Sequence, residues 1–182
     1  MNKELQIINK LEFDTVCVYG VGVPTQFFNS IKGDKLGVDP FDKESYPRSW
    51  NGKTVASNIV PKYNKKAYDI VIINNSKHYK DLVKYFKQAL KNIKEGGKII
   101  FTHSMPKTPS DVTETPTKHQ FWCGQVQQFI LELISKGGYK VTTFDDGYGV
   151  SIVEIDETKE PKHIEVQGFE EVYFYRMELM NN

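Results

Sequence analysis

The 182-residue chain is short of cysteine and of unbalanced charge: it holds two cysteines and carries a formal net charge of +1. Each shortage excludes something. Cys17 falls in a predicted buried strand and Cys123 lies beside Trp122. Two such thiols read as reduced core residues rather than as a disulfide framework or a zinc site. No apolar run approaches the roughly 20 residues that a bilayer-spanning helix needs. The first residues, MNKELQIINKLEF, include Glu4 and lack the long apolar core of a signal peptide. The expectation is a soluble cytoplasmic protein without a membrane partner. Lysines are matched by Asp and Glu and scattered along the chain, which argues against nucleic acid bound through charge alone. There is neither an internal repeat nor a low-complexity tract. Length and an apolar content of 39% suit a single domain over residues 1–182, with a core at 15–155, an N-terminal helix at 3–11 and a C-terminal extension at 156–182.

What the chain does have is a central strand, helix and strand between Tyr68 and His103. Asp69 to Asn74 (DIVIIN) is a β-branched run of the kind buried on both faces of a parallel sheet. From Lys77 onward, Tyr79, Leu82, Val83, Phe86, Ala89, Leu90 and Ile93 recur at spacings of three and four. That pattern predicts an amphipathic helix laid on the sheet, capped by Asn75 or Ser76. Gly96-Gly97 is expected to stop the helix, and Lys98 to Thr102 (KIIFT) to begin the next buried strand. A parallel pair joined through a helix is a right-handed crossover.

Around this unit the chain repeats the theme. Thr15 to Tyr19 is the first strand, and it runs into Gly20-Val21-Gly22-Val23-Pro24-Thr25, a turn that allows close backbone approach before a helix from Thr25 to Ile31. A third glycine is missing, which weakens an NAD-dependent reductase reading. Lys35 to Val38 is a second strand ending in Asp39-Pro40, and an acid there is placed to bond ribose hydroxyls or else to start a turn. Lys53 to Ala56 is a short third strand with Ser57-Asn58 at its end. Residues 104–120 read as a lid, a binding loop or a disordered segment. Helical spacing resumes from Phe121 to Ser135. Tyr139 to Phe144 and Gly149 to Ile155 then form a hairpin across Asp145-Asp146-Gly147-Tyr148. The aromatic and charged tail from Glu165 to Met180 suits an extra edge strand or a surface for a protein partner or a second copy.

Five helix-linked, mostly parallel strands followed by a hairpin resemble the class I S-adenosylmethionine-dependent methyltransferases, which have a three-layer α/β Rossmann-like fold with a mostly parallel seven-stranded sheet. The nearest likeness is to the small-molecule and sugar O-methyltransferase branch. It is carried by Ile73-Asn74-Asn75, His78-Tyr79, Gly96-Gly97, His103-Ser104 with Pro106, Trp122-Cys123-Gly124-Gln125-Val126 and Asp146-Gly147-Tyr148-Gly149-Val150, together with Val38-Asp39-Pro40. The resemblance spans roughly Thr15 to Ile155.

The resemblance implies S-adenosylmethionine as cofactor, bound at Gly20, Gly22, Asp39, Ser57 and Asn74, and a small-molecule or glycan hydroxyl as acceptor. Such a transfer needs the reacting atoms aligned about 3–3.5 Å apart and a base for the acceptor's proton. His78 and His103 are the candidates, expected at strand ends where ligands bind in open α/β sheets. Tyr19 and Tyr79 are candidates for an aromatic face against the sulfonium or for core packing. Metal-dependent members carry acids where this chain has Asn74, Ser104 and Gln125. Hard cations favour carboxylates, so no metal is expected. The usual acid at the end of the first strand is also absent, with Tyr19 there. The alternative is a protein that keeps the fold without the chemistry, as an interaction or assembly module.

Overall fold

The computed structural model describes residues 3–20, 26–39, 53–56, 67–74, 76–113, 122–164, 171, 175, 179 and 180. Its elements in chain order are α1 (Lys3–Lys10), β1 (Thr15–Tyr19), α2 (Gln26–Ser30), β2 (Asp34–Asp39), β3 (Lys53–Ala56), β4 (Tyr68–Ile73), α3 (Tyr79–Asn92), β5 (Ile93–Thr102), α4 (Val126–Lys136), β6 (Tyr139–Phe144) and β7 (Val150–Ile155). The strands form one seven-stranded sheet in the order β3-β2-β1-β4-β5-β7-β6. Strands β1 to β5 pair in parallel, and β7 lies antiparallel to both β5 and β6. The strand order reverses at β1: the chain first builds outward through β2 and β3, then returns to the other flank of β1 for β4. Open α/β sheets leave a crevice at the carboxyl ends of the strands where the order reverses.

Alternation along the strands feeds two cores, because successive side chains point to opposite faces. Cys17, Tyr19, Val71, Ile73, Ile99 and Phe101 meet α3 and α4 on one face. Val16, Val18, Ile70, Ile72 and Ile100 meet Leu5 and Ile8 of α1 and Phe28 of α2 on the other. Both cysteines are buried free thiols, and burial pushes each thiol up to about 12. Leu179 of the tail is fully buried in the first core and Tyr175 packs against it. Glu171, Leu179 and Met180 are helical; residues 165–170, 172–174 and 176–178 of the segment for which the alternation suggested an extra edge strand lie outside the described residues.

The central unit departs from its sequence reading at both ends of α3. The N-cap is His78, without a side-chain capping bond, rather than Ser76; Asn75 lies outside the described residues. The helix ends at Asn92 and β5 begins at once with Ile93, four residues before Gly97. The glycine pair serves a bulge. Tyr68 pairs with Ile93 but Ile70 pairs with Lys98, so β5 spends extra residues between the two contacts. Gly96 sits at φ +72, and a Cβ on Gly97 would stand 2.7 Å from Ile93 Cγ1 and 2.8 Å from the Asp69 carbonyl oxygen. A glycine pair signals a helix stop and a strand bulge equally well.

The amino ends of β1 and β4 are tied by Asp69. Its Oδ2 accepts from the backbone N–H of Asp14 (3.1 Å) and Thr15 (2.9 Å) and from the Thr15 hydroxyl (2.8 Å), while Oδ1 accepts from Lys94 Nζ at 2.7 Å. Burial opposes the charge, but the bonds from Lys94, Thr15 and Asp14 outweigh it and hold the carboxyl well below the usual range. A depressed carboxylate contributes stability that is complete above its unfolded value, 3.8, and is lost as pH falls below it. Asp69→Asn is therefore expected to cost about 2 kcal/mol at pH 7. In urea unfolding, the gap between variant and wild type should close as pH falls below 4; a gap independent of pH would contradict the assignment.

Candidate functional site

The paired positions Tyr19↔Val38, Tyr19↔Ile73 and Ile73↔Phe101 are the last of β1, β2, β4 and β5 to stand level with one another. The residues that follow them, Gly20, Asp39, Asn74 and Thr102, therefore line up along one edge of the sheet. Two backbone bonds carry the ladder onto this row: Gly20 N–H donates to the Val38 carbonyl and Asn74 N–H to the Tyr19 carbonyl, each at 2.8 Å. Gly20 stands at φ +75, the left-handed region in which a side chain would be strained.

Asn74 is buried, and its carboxamide ties the row together. Nδ2 donates to the Gly20 carbonyl at 2.9 Å, and Oδ1 accepts from the Thr102 hydroxyl at 2.8 Å. One side chain thus joins the tips of β1, β4 and β5. The amide retains one N–H and one lone pair beyond these two bonds.

His103 continues the row beyond β5. Its Nδ1 lies 3.1 Å from Thr102 Oγ1, and its ring stacks on Tyr148 with centroids 6.2 Å apart. His103 is the one described non-glycine residue at positive φ (+58). The chain is pinned just after it, where Ser104 N–H donates to the Gly149 carbonyl (3.3 Å) and Met105 N–H to that of Tyr148 (2.8 Å). Strain of this kind persists where surrounding structure enforces it and clusters at functional sites. Burial, with the nearby Lys77 cation, pushes the His103 imidazole down to about 3, so it is neutral at pH 7. Lys77 is half-buried over the Trp122 ring at 5.9 Å, and burial lowers its own pKa.

His78 is exposed and meets Trp122 edge-on, with centroids 5.1 Å apart. It borders a cleft of about 560 Å³ that is also lined by Tyr79, Lys80, Asp81, Gln125 and Gln128. Two bonds lock the helix starts beside this cleft: Tyr79 N–H donates to Gln125 Oε1 and Gln125 N–H to the Lys77 carbonyl, both at 2.8 Å.

This architecture recurs in solved structures. A Staphylococcus aureus protein provisionally described as a caffeoyl-CoA O-methyltransferase matches 84% of this chain and 80% of its own, with TM-score 0.58 and 16% identity. A Podospora anserina methyltransferase bound to S-adenosylhomocysteine matches 84% and 76%, with TM-score 0.54 and 15% identity. Haemonchus contortus phosphoethanolamine N-methyltransferase 1, in complex with phosphoethanolamine and S-adenosylhomocysteine, matches 96% of this chain but 46% of its own, with TM-score 0.57 and 12% identity. The fold is the Rossmann-like methyltransferase fold. At these identities the likeness is one of fold; no family model matches the chain and no curated protein matches it in sequence.

On this methyltransferase fold, the candidate residues from sequence fall into three groups. Gly20, Asp39, Asn74 and His103 stand on the carboxyl edge, with Asp39 ending β2. His78 is not at a strand tip: it precedes α3, four residues beyond Asn74, because the chain needs a connection before the helix can turn back over the sheet. Gly22 and Ser57 lie outside the described residues. Tyr19 has turned into the core, whereas Tyr79 is partly buried, packing on the core while lining the cleft beside His78. Tyr19 is fully buried, stacks on Tyr85 at 5.1 Å and accepts from Asn92 Nδ2, while the Tyr79 hydroxyl donates to Glu132. Burial pushes the Tyr79 phenol up to about 12. Of the positions where metal-dependent relatives are expected to carry acids, Asn74 braces the strand tips and Gln125 caps the start of α3. Ser104 Oγ is buried and, among the described residues, has no hydrogen-bond partner.

Sequence reading missed Thr102, Lys77, Trp122 and Tyr148 as members of this edge. Thr102 left a trace, as a hydroxyl closing a buried apolar strand must find a partner. Removing the brace is expected to be expensive because it deletes two buried hydrogen bonds, one to the Gly20 carbonyl and one from the Thr102 hydroxyl: Asn74→Ala should lose about 2–4 kcal/mol in chemical denaturation. His78→Ala, at an exposed position, should stay within about 0.5 kcal/mol. Equal effects of the two substitutions would contradict this division.

Proposed function

We propose that the protein is an S-adenosylmethionine-dependent methyltransferase that acts on a hydroxyl of a small molecule or glycan without a metal ion. The observation that carries the reading is the convergence of Gly20, Asp39 and Asn74 at the reversal of strand order. The backbone there fits an adenosyl group: Gly20 at φ +75 brings main chain to the edge without a side chain, and Asp39 ends the strand whose tip suits ribose hydroxyls. Gly20, Gly22, Asp39 and Ser57 would hold the cofactor, and Asn74 would hold it through the Gly20 peptide and its remaining N–H. When bound, S-adenosylmethionine supplies a methyl group on a sulfonium sulfur. The chain's own part is to align the acceptor and receive its proton, and His103 and His78 are the candidates for the latter.

The cleft bordered by His78 falls within the roughly 300–1,000 Å³ typical of small-molecule sites, which favours a compact acceptor. Donor chemistry supports metal independence, since an amide, a hydroxyl and a second amide stand at the positions where carboxylates would hold a cation and both amides are already engaged. The same engagement favours a second reading, a methyltransferase-fold module kept for interaction or assembly.

Thermal unfolding of the purified protein separates the two. S-adenosylmethionine at a hundred times its dissociation constant should add about 2.7 kcal/mol. The shift should survive chelation and be lost in Asp39→Ala. No shift at millimolar cofactor would favour the interaction module.

A further inference from the structure

The hydrogen bonds along the carboxyl edge fix more than geometry, because one end of the row has a determined polarity. The Gly20 carbonyl can only accept, so the group of Asn74 facing it at 2.9 Å must be the NH₂. The other end of the carboxamide is then the oxygen, which can only accept, so the Thr102 hydroxyl 2.8 Å away must give its single proton to it. With that proton spent, Thr102 Oγ1 can meet the His103 ring 3.1 Å away only as an acceptor. Nδ1 of His103 must therefore carry a proton. In neutral imidazole the other nitrogen is then bare.

We propose that Thr102 is a positioning residue that fixes His103 as the Nδ1–H tautomer, so that Nε2 is the atom that takes the acceptor's proton. The role as proton acceptor rests on the methyltransferase reading; the tautomer does not. Among the described residues, Nε2 has no hydrogen-bond partner, while stacking on Tyr148 and the left-handed backbone at His103 hold the ring plane. As the acceptor oxygen shares an electron pair with the incoming methyl group, its proton becomes strongly acidic. Only then does the O–H bond break, its electron pair staying on the oxygen, and the proton form an N–H bond at Nε2, a late transfer that a ring of depressed basicity can accept. The product is an imidazolium whose other proton still rests on Thr102. The arrangement assigns different duties to the two histidines: His103 has a proton-fixing partner and a bare nitrogen, whereas His78 is exposed and its ring meets the Trp122 edge.

The test is the protonation state of each ring nitrogen, read from long-range ¹H–¹⁵N correlations of the uniformly labelled full chain at pH 7, with His103→Gln used to assign the signals. Wild type should show Nδ1 protonated and Nε2 bare. Thr102→Val removes the acceptor at nearly constant volume and should lower the ratio of Nδ1–H to Nε2–H about fivefold, the ratio sustained by one net hydrogen bond. Thr102→Ser should restore it. A wild-type ring protonated at Nε2, or a Thr102→Val spectrum like that of wild type, would overturn the proposal. If Thr102→Val does not fold, wild type and Thr102→Ser decide it, because Nε2–H in either is incompatible with the chain of donors. No cofactor is needed for this experiment. Failure of S-adenosylmethionine to bind, with Nδ1–H retained, would count against the methyltransferase reading alone.

Discussion

A single buried carboxamide organises the carboxyl edge of this sheet. Asn74 donates to the Gly20 carbonyl and accepts from the Thr102 hydroxyl. It can do both because an amide presents a donor and an acceptor a short distance apart. An ionised carboxylate would still accept from Thr102 but would face the Gly20 carbonyl with another acceptor, and the two would repel. In this chain the amide closes the edge with its own hydrogen bonds, and Gln125 likewise serves the first amide of α3. Asn74 and Gln125 are, in the folded chain, structural links.

That brace connects packing to chemistry. The two ends of the sheet are tied by different means: an ionised Asp69 gathers donors at the amino ends, and a neutral Asn74 pairs donor with acceptor at the carboxyl ends. The carboxyl-edge brace therefore adds no charge of its own to the row of strand tips. Because the brace has a fixed polarity, it passes a proton preference along Thr102 to His103. The strained backbone at His103 and its depressed basicity fit a side chain whose placement is enforced by its surroundings rather than chosen by local preference.

The architecture was legible because it rests on periodicity. The β-branched runs at residues 15–19 and 69–74, the apolar stripe from Tyr79 to Ile93 and the Asp-Gly hairpin each specify an element without reference to the others, and their order specifies the sheet. Lys53–Ala56 and Tyr139–Phe144 coincide with their sequence boundaries. The bulge at Gly96-Gly97 was not legible, since a glycine pair permits either a helix stop or a strand irregularity and only the pairing of Tyr68 with Ile93 distinguishes them. At the edge, Gly20, Asp39 and His103 could be nominated because strand ends are predictable. What Asn74 bonds to could not be, as that depends on the register of three strands at once. His78 was misplaced by a few residues because the cap of α3 carries no side-chain signature.

The account stands on the claim that the tips of β1, β2 and β4 form the seat of an adenosyl group. A crystal structure of the protein with S-adenosylhomocysteine tests it most directly. The account predicts the adenosyl group lying across the Gly20 turn, with its ribose hydroxyls on the Asp39 carboxylate and the Asn74 brace unbroken beneath it. Ligand bound elsewhere, or the space between Gly20 and Asp39 filled by the protein's own side chains at saturating ligand, would contradict the enzymatic reading.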